Sequence, residues 1–443
     1  MNIRLSDHFT YKKLFMFTLP SIAMMIFTSI YGIVDGYFVS NFAGKTPFAA
    51  VNLIMPFIMI LSTVGFMLGA GGSALVSKTM GEGDYKKANR YFSLFIYAAF
   101  ICGVILCSFG IGFTRPIAAF LGAEGDLLEN CVLYARFILS TLPFYILQMA
   151  FQSFFVTAEK PHLGLIMTVI SGGTNMVLDA LFVAVFHWGL TGAAVATAFS
   201  QFIGGFIPFL YFVRPNDSLL RLTKTNFDVK VLTKACTNGS SELMSNISMS
   251  VVSILYNMQL MKYAGENGVA AYGVLMYVGF IFCAAFIGYS IGTAPVVGYH
   301  YGAKNHDELK NLLKRSLVII GAFSVGMLLF ALALAKPMSI VFVGYDAELC
   351  DLTISGFQIY AFAFLFMGYA IYASGFFTAL NDGLTSALIS FLRTMVFQIA
   401  AVILLPLFFG IDGVWYSIVV AEALAVILSA FFVIIKRKKY HYF

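Results

Sequence analysis

Apolar runs, each about 20 residues or more in length, recur about twelve times along this chain of 443 residues. That length is decisive, because a helix rises about 1.5 Å per residue and the hydrocarbon core of a bilayer is about 30 Å thick. Read between polar breaks, the runs cover residues 14–40, 48–77, 91–113, 131–158, 161–186, 190–213, 236–262, 269–300, 312–334, 352–380, 384–408 and 412–436. Hydrophobic residues make up 60% of the chain and charged residues 11%, with a mean hydropathy of +0.88. A soluble domain carries about 25% charged residues, so a soluble helical fold is excluded. In lipid every backbone polar group needs an internal partner, and helices supply one. The chain therefore reads as an all-α integral membrane protein with about twelve transmembrane helices. The opening stretch "MNIRLSDHFTYKKLF" is polar, and the run after it is too long for a cleavable signal, so the first helix is expected to stay as an anchor. Six cysteines are scattered without a CxxC pair, which argues against a disulfide framework or a zinc site.

Lys and Arg set the expected orientation, because cytoplasmic loops carry the excess of them. One side holds Arg4, Lys12, Lys13, "SKTMGEGDYKKANR", Lys160, the loop 214–235, "GAKNHDELKNLLKR" and "KRKK" at 436–439. The other holds Lys45, Arg115, Lys262 and Lys336 beside Glu124, Asp126, Glu129, Asp346, Glu348 and Asp351. Both termini are thus expected in the cytoplasm, with the protein in the cell's inner (cytoplasmic) membrane. The formal charge of +6 is explained by this topology and does not call for a nucleic-acid partner. Trp188 and Trp415 fall at outer helix ends, where an interfacial aromatic belt is expected.

The halves repeat one another. "NFAGKTPFAAVNLIMP" resembles "KYAGENGVAAYGVLMY", with Gly44 and Gly265 standing 221 residues apart. The same offset of 221 pairs Gly71 with Gly292, Gly81 with Gly302, "SFFVTA" with "SGFFTA" and "GLTG" with "GIDG". Six spans per half is an even number, so both halves cross in the same direction as parallel repeats. The expected division is an N-terminal six-helix lobe over 1–213, a cytoplasmic loop over 214–235 and a C-terminal six-helix lobe over 236–443, around a central cavity. Gly65, Gly69 and Ser73, and likewise Gly288 and Gly292, have the spacing that lets helices approach closely.

Four carboxylates fall inside the spans: Asp35, Asp179, Glu242 and Glu422. Intramembrane acids are costly and mark ion or substrate paths. Asp35 and Asp179 lie six to seven residues from the outer ends of their spans, about 10 Å below the surface at 1.5 Å per residue. Asn175 is four residues before Asp179, on the same helix face. An amide oxygen and two carboxylates suit a hard cation or a proton relay. The repeat mates of Asp35 and Asp179 are Tyr256 and Ala400, so packing symmetry does not require the acids. Pro20 shares the first helix with Asp35 and is a candidate bend point. Gln152, Glu242, Asn246, Tyr256 and Glu422 are candidates to line the cavity. Arg136 stands near an outer helix end, where its side chain can snorkel. Arg393 stands deeper and calls for an acidic partner. There is no GxxxxGK[ST] loop, no HExxH and no GxSxG elbow, so no enzyme activity and no cofactor are expected.

The chain resembles the multidrug and toxic compound extrusion (MATE) transporters over its whole length. The resemblance rests on the two parallel halves, on "LPSI" and "VDGYFVSNFAG" at the two ends of the first helix, on "GGSALVSKTMGEGDYKKA" after the second, and on "TNMVLDALF" in the fifth. It implies the branch with acids in the N-terminal lobe, where a first-helix aspartate and a fifth-helix Asn/Asp pair hold the coupling cation or proton. Those roles fall on Asp35, Asn175 and Asp179, with Na⁺ as the metal if the ion is not H⁺. Pro20 matches the first-helix proline linked to bending. Another branch has an acid deeper in the seventh helix than Glu242, so that role is not transferred. The implied activity is export of organic cations by antiport with alternating access, carried out by a monomer among membrane lipids. Two other functions stay open at this point: a lipid-linked saccharide flippase of related fold, and a non-transporting receptor or channel subunit.

Overall fold

The computed structural model describes residues 3–442, in which every regular element is helical. The first half holds α1 (Tyr11–Phe38), α2 (Lys45–Gly81), α3 (Tyr85–Phe120), α4 (Gly125–Ser140), α5 (Leu142–Thr157), α6 (Pro161–Asp179) and α7 (Gly189–Val213). A short α8 (Val229–Asn238) leads to α9 (Ser240–Gly302), α10 (His306–Val343), α11 (Ala347–Ala361), α12 (Phe364–Ala379), α13 (Gly383–Phe391), α14 (Gln398–Phe409) and α15 (Ile411–Tyr440). Single π-helical turns follow α1 (Val39–Ala43), α6 (Ala180–Val185) and α13 (Leu392–Phe397). Among the described residues, nine helices are long and apolar enough to span a membrane, and two bent pairs bring the number to eleven. The 63-residue α9 is broken at Gly265 (φ 61°, ψ −147°) and crosses twice, which makes twelve. The fold is a multi-pass membrane bundle of two helical lobes.

Several elements differ from the sequence expectation. The fourth and tenth runs, expected as single helices, are bent pairs: α4 meets α5 at 58° and α11 meets α12 at 48°. Pro143 in the first turn of α5 has no N–H to continue α4. At the second bend the Phe362 and Ala363 amides close tight turns onto Ile359 and Tyr360. The loop 214–235 is coil only to Asp228, which caps α8 through the amides of Lys230 and Val231. Its coil part is docked on α3: the Thr223 amide donates to Ser93 Oγ at 2.8 Å, and Asn89 Nδ2 donates to the Leu219 carbonyl at 3.3 Å. α3 and α10 start before the apolar runs 91–113 and 312–334, because Asp84 and Asn305 cap polar first turns, and they also run past those runs to Phe120 and Val343. Trp415 is not at an interface. It is 1% exposed, with its ring over Gly356. Trp188 does lie exposed, stacked on Phe182 at 4.8 Å.

The repeat is written in the backbone too. Left-handed residues recur 221 apart: Gly44 (φ 106°) with Gly265 (61°), Gly83 (87°) with Lys304 (56°), and Gly189 (56°) with Gly410 (59°). The halves meet tightly at the end that carries the basic loops, and the contacts are reciprocal. A Cβ on Gly81 would overlap the Tyr299 carbonyl, and one on Gly302 would overlap the Lys78 carbonyl. Residues 78 and 299 are themselves repeat mates. In the same way Gly71 packs on Gly239 while Gly292 packs on Thr18, the mate of Gly239. Small residues let these backbones touch, closing that end around a pseudo-two-fold axis. Gly65 and Gly69, by contrast, pack on Ile146 and Ala150 within the first half. At the opposite end Tyr37, Phe42, Met258 and Met261 are exposed. Gly302→Val should therefore overpack the closed end and destabilise the protein by about 1–3 kcal/mol. Gly112, whose Cβ would meet nothing within 4 Å, should accept valine without such a loss. Thermal melting in detergent checks this, and equal melting temperatures for the two variants would contradict it.

The termini strap this same end. The Leu5 amide donates to Glu159 at 2.6 Å, and His8 and the Phe9 amide bond Glu308 at 2.6 and 2.9 Å. At the other terminus, Asp382 accepts from Tyr440 Oη at 2.8 Å and pairs with Lys436 at 3.2 Å. Burial by itself pushes the Asp382 carboxyl up, but the hydrogen bonds from Tyr440, Thr385 and Lys436 outweigh it and hold it below the ordinary 3.8. A depressed carboxyl stabilises the fold above its unfolded value, and loses that contribution as pH falls through the lower folded value. Acidification from pH 5 to below pH 3.8 should thus release the C-terminal segment first in wild type. Asp382→Asn should show less of this pH dependence in hydrogen exchange at residues 436–442.

Candidate functional site

α1 brings Asp35 to within one turn of its π-helical end, and α6 ends on Asp179 where its own π turn begins. π turns of this kind are frequent at functional sites. Asp35 is 8% exposed, Asn175 1% and Asp179 0%. The two carboxyls lie against each other, with Tyr134 of α4 beside both. Thr197 of α7 ties the group together. Asn175 Nδ2 donates to Thr197 Oγ1 at 3.2 Å, and Thr197 Oγ1 donates to Asp35 Oδ1 at 3.3 Å.

What is missing from the group is as telling. Both Asp179 oxygens, Asn175 Oδ1 and the Tyr134 hydroxyl are buried without a partner among the described residues. No Lys, Arg or His pairs with either acid there. Buried acceptors left unsatisfied are costly, and two facing carboxyls need a proton or a cation between them. Asp35, Asp179, Asn175 Oδ1 and Thr197 Oγ1 supply only oxygen, the donor type of a hard cation. Among the described residues no group of three or more His, Cys, Asp or Glu offers a transition-metal site. The structure brings the three sequence-selected residues together and adds Thr197 and Tyr134. Thr197 was detectable: its repeat mate is Ile418, the same kind of asymmetry that separates Asp35 from Tyr256.

The other candidates are spread over two places. Glu422 is fully buried in a bidentate pair with Arg393, at 2.8 Å from Nε and 2.9 Å from Nη2. Arg393 thus has its acidic partner, and Arg136 is exposed. Glu242, Tyr256 and Glu422 line one cavity in the second half. Asn246 does not line it: its amide folds back to donate to the Glu242 carbonyl at 2.8 Å. Gln152 does not line it either. α5 turns Gln152 into the interior of the first half, where it borders a pocket of about 10 Å³ with Gln148 and Thr168. Pro20 is buried in α1, which continues through it unbroken, between Thr18 and Ile22 that pack on Gly292 and Gly288 of α9.

Two pseudo-symmetric six-span halves, closed at one end and holding an uncompensated acid pair in one half only, define a secondary active transporter rather than an enzyme. The chain belongs to the MatE family, whose sequence profile matches residues 20–181 and again 243–404. The two matches begin 223 residues apart, close to the 221 read from the motifs. Multidrug export protein MepA of Staphylococcus haemolyticus (strain JCSC1435) is 26% identical over 431 residues, covering 97% of this chain and 94% of the relative. MepA of Staphylococcus aureus (strain MRSA252) is 24% identical over 432 residues, with the same 97% and 94% coverage. In fold the chain is similar to an outward-facing multidrug resistance MATE transporter of the MOP superfamily, with a TM-score of 0.92 at 22% identity, over 98% of this chain and 97% of the other. A MOP superfamily transporter from Pyrococcus furiosus, described as having a binding pocket of reversed polarity, aligns with a TM-score of 0.90 at 22% identity over 97% of each chain.

Proposed function

We propose that the protein exports organic cations from the cell by antiport with Na⁺ or H⁺, which it takes up at Asp35, Asn175 and Asp179. The observation that carries this is the facing carboxyl pair with no basic partner, on the half whose repeat mates lack acids. Relatives described as multidrug export proteins support the direction and the cargo. With the basic end in the cytoplasm, the closed end faces inward and the site opens outward. Ion uptake there neutralises costly charge and removes the demand for a donor at Asp179. α1 then rearranges near Pro20, where one backbone hydrogen bond is already missing. Because Pro20 lies between the two α1 residues seated on α9, such a bend acts on the inter-half contact itself. The working units are the lobes 1–213 and 236–443, joined by 214–235, and the protein acts as a monomer in the inner membrane with both termini inside.

A flippase for an anionic saccharide lipid would need free basic side chains in the cavity. Arg393 is neutralised by Glu422, which favours the cation reading. Purified protein in liposomes, loaded with ethidium and given Na⁺ and proton gradients separately, tests the proposal. One gradient should drive dye movement well above the rate without a gradient. Equal rates with and without both gradients would rule antiport out.

A further inference from the structure

Residues 3–10 run ahead of α1 and cross the closed end, held at both ends and in the middle. The Leu5 amide donates to Glu159 Oε1 at 2.6 Å, in the turn between α5 and α6. His8 Nδ1 and the Phe9 amide meet the two oxygens of Glu308 at 2.6 and 2.9 Å, and Asn311 Nδ2 donates to the Phe9 carbonyl at 2.9 Å. Thr10 then caps α1 by accepting from the Lys13 amide. Glu159 and α1 belong to the first half, whereas Glu308 and Asn311 stand on α10 of the second. The segment is thus moored at both ends to its own half and grips the other half between them.

Burial and the repeat both set this grip apart from an ordinary terminal contact. Leu5 and Phe9 are fully buried, and the Phe9 ring stands edge-on to Phe17 at 5.8 Å and to His300 of α9 at 6.5 Å. Glu308 is 6% exposed, and its carboxylate also receives Asn311 Nδ2 at 2.7 Å. A buried carboxylate is costly unless hydrogen-bonded, and the His8 ring and the Phe9 amide bring it partners from the opposite half. At the offset of 221 the mate of Glu308 is Lys87 and the mate of Glu159 is Leu380. The mate segment 224–231 leaves Lys224, Phe227 and Val229 exposed. Packing symmetry therefore does not require the grip, which exists on one side only.

We propose that residues 3–10 latch the closed end, with Glu308 as the catch, and that the catch releases each time the halves part there. This rests on the alternating-access part of the export reading and goes beyond it by naming positioning residues for the conformational step. Only Thr10 separates Phe9 from α1, so Phe9 cannot stay on Glu308 once α1 leaves α9. Leu5 can stay on Glu159, because both move with the first half. The bonds to Glu308 thus exist only in the state closed at this end, and their loss shifts the population toward the state open there. α1 carries the latch at one end and Asp35 at the other, so the same helix links the catch to the ion site.

The test reads the opposite end of the molecule, where damage confined to the latch would not register. Spin labels on Tyr37→Cys and Met258→Cys, both exposed and one in each half, report the separation of the halves there by double electron–electron resonance. The full-length protein is used in liposomes, with its six native cysteines replaced by alanine. Glu308→Ala should raise the ratio of the shorter to the longer distance about tenfold, the factor that the loss of one hydrogen bond to a charged group confers. Asp307→Asn, at the exposed neighbour of Glu308, should leave the distribution as it is. If Glu308→Ala does not fold, His8→Ala, whose side chain is 63% exposed, carries the test with a smaller shift of the same sign. A distribution in the folded variant that superimposes on that of the parent protein would overturn the latch. The export reading then stands when gradient-driven efflux by wild type persists, whereas a wild type with no such efflux and a single distance removes both.

Discussion

Asp35→Asn and Asp179→Asn are each expected to reduce gradient-driven efflux on the order of 100-fold while the protein still inserts and folds. The size follows from what is lost. A switch that no longer distinguishes two states by charge cannot move the population between them, and full switching takes about 5.5 kcal/mol of differential binding. Folding is spared because an amide costs less to bury than an unpaired carboxylate. Asparagine also brings a donor to a place where both Asp179 oxygens lack one. The double variant should be little worse than either single one, since groups acting as a unit are not additive. Thr197→Val, which keeps shape but removes the bridge between Asn175 and Asp35, should weaken ion dependence without abolishing transport. Rates in liposomes under an imposed gradient decide the matter: wild-type efflux by either aspartate variant would show that the pair does not couple.

The second large effect concerns stability. Arg393→Met should destabilise the protein by about 3–5 kcal/mol, because it strands a buried carboxylate. Glu422 is 0% exposed and receives three hydrogen bonds from Arg393, and no other side chain bonds its carboxylate among the described residues. Adding Glu422→Met should recover most of the loss, since a well-packed apolar pair is often as stable as a buried ion pair. Detergent melting curves of the single and double variants read this directly. A double variant as unstable as Arg393→Met would mean that packing around Arg393, and not charge, holds the region.

Much of the fold was legible before any coordinates. The twelve spans follow from run length, because the cost of leaving a backbone group unpaired in lipid is paid segment by segment. The repeat was legible in motif spacing, and the backbone carries it in left-handed residues such as Gly44 and Gly265. The acids of the candidate site stood out because a charge in an apolar run is expensive wherever the run ends up. The bends at Thr141 and Phe362, and the helix hidden in the loop 214–235, were not legible. They depend on local hydrogen bonding that hydropathy does not register.

What the sequence determined by itself, then, is what each segment settles with the bilayer alone: which stretches cross, how many, and where charge is costly. What only the tertiary structure decided is which costly groups meet. Arg393 finds Glu422 29 residues away, Thr197 reaches Asp35 across 162 residues, and Gly81 lies on the backbone of Tyr299. Equally, Gln152 and Asn246 turn away from the cavity that Glu242 and Tyr256 share. These outcomes turn on which face of each helix packs against which neighbour. That choice minimises the summed packing and desolvation energy of the whole bundle, and no single run of residues contains the sum.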